Sequence, residues 1–182
     1  MRIIGGRFRG RQLKVPRGLP VRPTTDFAKE ALFNILNNRL DYEGLEVLDL
    51  FSGTGHISLE FASRGCRQAT AVDKHVKCVS FLRQIADELK LPVSTVKEDV
   101  FKFLAGTRAK FDLVFADPPY DLPELITIHT LVFANRLLKE GGLLILEHGP
   151  ATKTQSLPNF WQHRKYGNVN FSFFLMPEQG DK

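Results

Sequence analysis

The most chemically suggestive residues are four aspartates, Asp49, Asp73, Asp99 and Asp117, each following a short apolar or β-branched run. The last opens Asp117-Pro118-Pro119-Tyr120, directly after Phe111-Asp112-Leu113-Val114-Phe115-Ala116. Proline lacks an amide hydrogen but keeps its carbonyl, so the Asp117 carboxylate and the Pro118 carbonyl can form a paired acceptor, and Tyr120 adds a stacking face. The same four residues would also serve as a plain rigid turn. As a catalytic group, two adjacent acceptors suit an amine with two hydrogens, such as the exocyclic nitrogen of a nucleobase. Its lone pair is delocalised into the ring, so it gains from being aligned with an activated electrophile, a term worth roughly 7–11 kcal/mol in favourable cases. Asp117 can also take the departing proton.

The electrophile is suggested by the other acids. Asp49 precedes Leu50-Phe51-Ser52-Gly53-Thr54-Gly55, a turn in which Gly53 and Gly55 let backbone approach a ligand that a Cβ would obstruct. A dinucleotide fingerprint needs a third glycine where this chain has Ser58, and an acid ahead of the turn disfavours an anionic pyrophosphate. S-adenosylmethionine, which carries an ammonium and a sulfonium and no phosphate, fits better. Asp73 is placed to accept from two ribose hydroxyls and Asp99 from the adenine amino group. With Asp49, Gly53, Gly55 and Asp117, the neighbours Phe51, Lys74 and Val100 complete the cofactor-binding candidates along these strand ends. A base reaching Tyr120 must leave its stack, at a cost of a few kcal/mol that aromatic stacking partly returns.

These residues must be positioned by regular elements. Strands are expected at Leu45–Leu50, Ala69–Asp73, Val93–Val96, Phe111–Ala116 and Leu143–Glu147, with a hairpin over Gln162–Leu175 turning at Gly167-Asn168. Helices are expected from the glycine turn to about Arg64, with Gly65 as C-cap, over His75–Leu89, and over Leu122–Leu138, where Gly141-Gly142 ends the helix. A further helix starts at Asp26 as cap, with Phe27, Ala31, Leu32 and Ile35 inward. Alternation of strands and helices predicts an α/β domain with a mostly parallel sheet. In such sheets ligands bind beyond the carboxyl ends of the strands, where all four acids fall.

At 182 residues, 43% hydrophobic and 25% charged, the chain suits one globular domain. The first 25 residues hold seven of the 25 Lys and Arg side chains and no acid, whereas the remainder, with 18 basic and 20 acidic groups, is slightly negative. A basic N-terminal arm over 1–25 is therefore expected ahead of a domain over 26–182, with Arg7, Arg9, Arg11 and Arg22 as candidates for phosphate contact. No apolar run approaches the length needed to span a bilayer and the N-terminus has no signal-like apolar stretch, so a cytoplasmic protein without membrane attachment is expected. Cys66 and Cys78 have no metal-ligand spacing and read as reduced and structural, and the five histidines form no metal pattern. No metal is expected.

Most of the chain resembles the RsmD family of bacterial 16S rRNA guanine(966)-N2-methyltransferases. The resemblance lies in Arg2-Ile3-Ile4-Gly5-Gly6, Arg9-Gly10-Arg11, Arg22-Pro23-Thr24-Thr25-Asp26, Glu30-Ala31-Leu32-Phe33-Asn34, the Asp49–Gly55 segment, Glu60 with Ser63-Arg64-Gly65, and Asp117-Pro118-Pro119-Tyr120. It implies a Rossmann-like class I methyltransferase fold, a seven-stranded, mostly parallel sheet with a reversed last strand. It further implies S-adenosylmethionine as donor, with S-adenosylhomocysteine as product. The implied acceptor is the N2 of a guanine in 16S rRNA or the small ribosomal subunit, the implied role rRNA processing. The resemblance also places Arg22-Pro23-Thr24 at the methionine end of the cofactor and the basic arm on RNA. Three positions depart from the family's habit: Phe27 and Lys29 stand where it usually has arginine, and Asp73 where it more often has glutamate. The rivals are an adenine-N6 methyltransferase, to which the Asp117–Tyr120 motif is equally suited, and a non-catalytic RNA-binding module. A monomer is expected.

Overall fold

The computed structural model describes residues 1–21, 25–178 and 180. Seven strands form one sheet: β1 (Glu46–Leu50), β2 (Gln68–Asp73), β3 (Val93–Lys97), β4 (Phe111–Ala116), β5 (Leu138–His148), β6 (Phe160–Tyr166) and β7 (Val169–Leu175). Their spatial order is β3-β2-β1-β4-β5-β7-β6. Every pairing from β3 to β5 is parallel, and β7 enters antiparallel to β5. This is the expected class I methyltransferase sheet, with β7 as the reversed strand. The chain leaves β1 toward β2 on one side, and β4 is added on the other side of β1. The strand order therefore switches between β1 and β4, and a crevice opens at their carboxyl ends.

Both faces are covered. Helices α1 (Asp26–Asn37) and α2 (His56–Ser63) pack with Val47, Leu113, Ile145, Phe171 and Phe173. Helix α3 (Val76–Leu89) lies on the same face against Ala71. On the other face α4 (Val100–Gly106) and α5 (Leu125–Ala134) cover Leu48, Leu50, Val114 and Leu144. The strands in the middle of the sheet are thus buried on both sides, which is why they read as continuous apolar runs.

Several expectations need correction. Thr25, not Asp26, caps α1, its Oγ1 accepting from Ala28 N at 3.2 Å. The buried face is Ala28, Lys29, Leu32, Phe33 and Leu36, while Phe27 is 65% exposed. An apolar pattern could not place Lys29 inward, because its burial depends on Glu60, thirty-one positions away. Helix α4 has no counterpart among the expected elements; Asp99 caps it, accepting from Phe101 N at 3.0 Å and Lys102 N at 3.2 Å. The helix expected to reach Leu138 stops at Ala134, and Arg136 turns the chain through the left-handed region at φ 51°. Gly141-Gly142 lies inside β5, where the pairing with β4 jumps from Phe111↔Leu138 to Leu113↔Leu143, so it marks a bulge and not a helix stop.

The basic N-terminal segment is docked against the domain. Arg2 and Gln12 form an antiparallel bridge, a short 3-10 turn spans Gly6–Phe8, and Ile3 and Leu13 are buried against α2, α3 and β2. Ile4 N donates to Glu60 Oε2 at 3.0 Å, and the Ser63 hydroxyl donates to Gly5 O at 2.7 Å. Glu60, fully buried, also receives Lys29 Nζ at 3.5 Å and Arg64 at 3.1 Å. One carboxylate thereby joins the arm, α1 and α2.

Candidate active site

The carboxyl ends of β1, β2 and β4 surround a cavity of about 440 Å³, a volume within the range of small-molecule sites. Sheet register sets this up. Leu50 pairs with Val72 on one side and Ala116 on the other, so Phe51, Asp73 and Asp117 emerge at one level. Asp117 N donates to Leu50 O at 3.3 Å and Ser52 N to Val72 O at 3.1 Å, tying the three strand ends together.

Of the sequence-selected residues, Phe51, Gly53, Asp73, Lys74, Asp99, Val100, Asp117, Pro118, Pro119 and Tyr120 all line this cavity. Phe51 adopts φ 57°, a left-handed conformation that is strained for a residue with a Cβ, by about 1–3 kcal/mol, and its ring meets Phe101 edge-on at 6.4 Å. Gly53, at φ 53°, donates its N–H to Asp73 Oδ2 at 2.8 Å, and Asp73 Oδ1 accepts from His75 N at 2.9 Å. Each carboxylate oxygen keeps a second lone pair, so Asp73 can hold the loop and still accept from a ligand. Leu122 N donates to Pro119 O at 3.0 Å, closing the turn that carries Tyr120.

Two selected residues sit elsewhere. Asp49 is outside the lining: it is 2% exposed, and its Oδ2 accepts from Ser58 N at 3.1 Å and Ser58 Oγ at 2.6 Å at the start of α2. Burial raises its pKa to about 7 against the opposing pull of the Ser58 bonds, and the nearby charge of Asp73 adds to the rise. Gly55 faces α3, where a Cβ would come within 2.3 Å of Leu82 Cδ1, so it answers to helix packing and not to the cavity wall. The Asp49 expectation rests on strand-end position and the Gly55 expectation on the room a missing Cβ leaves, and neither says on which side of the turn a residue lies. Thr24 and Arg22 lie outside the described residues.

The structure adds wall residues that the sequence does not single out: Pro20, Val21, His56, His75, Phe101 and Leu122. Pro20 and Val21 belong to the arm, which therefore contributes to the cavity itself. His56, the first residue of α2, is held neutral: burial and then the Lys29 charge push its pKa down to about 3. Only its place beside the glycine turn could have flagged it. Among the described residues no group of three or more His, Cys, Asp or Glu could hold a metal ion, and no helix is long and apolar enough to cross a membrane. Cys66 and Cys78 are buried free thiols, both pushed upward in pKa chiefly by burial.

The arginine candidates are separated by the fold. Arg7 and Arg9 are exposed at the tip of the arm, whereas Arg11 is paired with Glu88 at 3.3 Å. The tip lies beside the last turn of α2, the opposite end of that helix from the cavity.

The family model described as Conserved hypothetical protein 95 matches residues 1–175. Ribosomal RNA small subunit methyltransferase D of Escherichia coli K12 is 31% identical over 186 residues, covering 100% of this chain and 92% of the relative. A solved hypothetical protein of Thermus thermophilus is 32% identical, with a TM-score of 0.83 over 96% of this chain and 98% of that one. The Thermus thermophilus 16S rRNA N2 G1207 methyltransferase (RsmC), solved with AdoMet and guanosine, is 25% identical, with a TM-score of 0.68 over 87% of this chain and 45% of that one.

Proposed function

The chain belongs to the RsmD family, matched by the model described as Conserved hypothetical protein 95, and from that membership we propose that it methylates the exocyclic N2 of a guanine in 16S rRNA with S-adenosylmethionine as donor. One observation carries the reading: Asp117-Pro118-Pro119-Tyr120 shares a single cavity with the glycine turn, Asp73 and Asp99. The lining suits this cofactor. Among the described residues its charged groups are Asp73, Asp99, Asp117 and Lys74, with apolar walls from Val21, Phe51, Val100 and Phe101, so these residues favour a ligand with cationic character over an anionic pyrophosphate.

When bound, S-adenosylmethionine supplies a methyl group already activated on a sulfonium. Asp73 would accept from the ribose hydroxyls, and Asp99, whose Oδ1 caps α4, would offer its remaining acceptor capacity to the adenine amino group. Val100 and Phe101 would provide the apolar wall for the adenine. Asp117 Oδ and the Pro118 carbonyl receive the two N2 hydrogens and turn the guanine lone pair into the cavity. The Tyr120 ring stacks on the flipped base, and Asp117 would accept the proton that N2 loses as it gains the methyl group, the donor's sulfur–methyl bond breaking and S-adenosylhomocysteine leaving as the neutral thioether. Asp49 acts from below by holding the start of α2 through Ser58. Arg7 and Arg9 contact RNA phosphates, the substrate being small-subunit RNA in the cytoplasm.

The test is transfer of labelled methyl from S-adenosylmethionine to small-subunit rRNA lacking the modification, followed by nucleoside analysis. N2-methylguanosine is expected; N6-methyladenosine or no transfer would reject the assignment.

A further inference from the structure

Phe27 is a large apolar side chain left 65% exposed at the first turn of α1. It is not isolated. Its ring meets Tyr166 edge-on, with centroids 6.0 Å apart and planes at 83°, and Tyr166 in turn leans on Phe171 at 6.2 Å. Tyr166 ends β6 beside the β6–β7 turn, and that turn lies at the cavity end of the sheet, because His148 at the end of β5 pairs with Asn170 at the start of β7.

The path to the catalytic motif is short and fixed by register. Tyr120 bonds to Glu147, Glu147 pairs with Phe171, and Phe171 pairs with Arg164. Two strand spacings, about 10 Å, separate the β5 residue that holds the base-stacking tyrosine from Arg164. Arg164 is exposed and shares its face of β6 with Tyr166, two residues on. Farther along the same seam, Arg39 lies over the ring of Trp161 at 4.5 Å, and Trp161 is itself 38% exposed. Exposed rings interleaved with guanidinium groups are what a single-stranded nucleic acid recognises: bases stack on the rings while phosphates meet the cations.

We propose that the seam between α1 and β6 binds unpaired nucleotides next to the target guanine, with the nearest base resting on Phe27 and its phosphate on Arg164. This rests on the rRNA reading above and adds to it a second RNA surface, built from α1 and β6 and separate from the arginines at the tip of the arm. It gives the flipped guanine a neighbour held in place, which limits the strand's freedom to withdraw.

The experiment uses the full chain and an RNA hairpin carrying the target guanine, with 2-aminopurine replacing one unpaired neighbour at a time. Phe27→Ala is expected to raise the KM for RNA roughly 5- to 150-fold, the loss of one base stack, with kcat and S-adenosylmethionine affinity unchanged. Phe27→Trp restores the parent KM, and the parent quenches 2-aminopurine at one neighbouring position where Phe27→Ala does not. The exposed position of Phe27 lets the variant fold as the parent does, and a melting curve verifies it. A parent enzyme that methylates the hairpin while Phe27→Ala keeps the same KM and quenching overturns the proposal. So does a defect seen only on assembled subunits, which would assign the patch to a protein partner. A parent that methylates nothing tests the rRNA reading instead.

Discussion

The Tyr120 hydroxyl donates a hydrogen bond of 2.9 Å to Oε1 of Glu147, whose side chain is 1% exposed at the end of β5. The bond and the packing of the ring against Gly149 hold the tyrosine in one place, so a stacking face is ready before a base arrives. Tyr120→Phe keeps the ring but removes this donor from a buried carboxylate, which costs roughly 1–3 kcal/mol of stability. A lowered melting temperature and a transfer rate reduced by about tenfold are expected, with RNA affinity retained. Tyr120→Ala should also weaken RNA binding by about 1–3 kcal/mol.

Asp117→Ala removes one of the paired acceptors and the proton acceptor together. Single-turnover methyl transfer should fall by about a thousandfold or more, since alignment and proton removal are both lost. Calorimetric binding of S-adenosylmethionine should change by less than about threefold, because Asp73 and Asp99 remain.

Asp49 gives a pH signature. Its folded pKa of about 7 lies above the ordinary carboxylate value because of burial, so the folded state retains a proton that the unfolded chain releases near pH 4. Its favourable contribution is complete below about pH 4, diminishes as pH rises, and is lost above about pH 7. Asp49→Asn keeps an acceptor for Ser58 without the buried charge. It should flatten the dependence of melting temperature on pH between 4 and 7, and raise it at pH 8. A parent-like slope in the variant would place the titration elsewhere.

The clasp around Glu60 predicts a stability defect far from the chemistry. Glu60→Ala leaves Lys29 buried without its carboxylate, a change expected to cost about 3–5 kcal/mol. Limited proteolysis should then cut within the arm, because Ile4 N loses its acceptor as well. Denaturant titration measures the first effect and mass spectrometry of the fragments the second.

Salt dependence separates the arginines. Replacing Arg7 or Arg9 by Ala should lower the slope of log K against log salt for RNA binding by about one each. Arg11→Ala should lower it less, since Glu88 already offsets its charge.

The amino-acid sequence by itself determined the strand-helix alternation, the row of acids at strand ends and the proline motif, because each is a local pattern: an apolar run ending at a polar residue reads the same in any register. It did not reveal α4, since the acid that caps this helix reads equally well as a cofactor ligand, nor did it place Lys29 inside. Tertiary structure alone decided which strand ends meet. The switch between β1 and β4 brings Asp117 beside Phe51, the docked arm brings Val21 into the same wall, and the pairing of β4 with β5 sets Glu147 under Tyr120. It also sends Asp49 beneath the cavity and Gly55 against Leu82. Apart from the nearby Asp49–Ser58 bond, these outcomes depend on contacts between residues far apart in the chain, whose desolvation and packing no periodicity encodes.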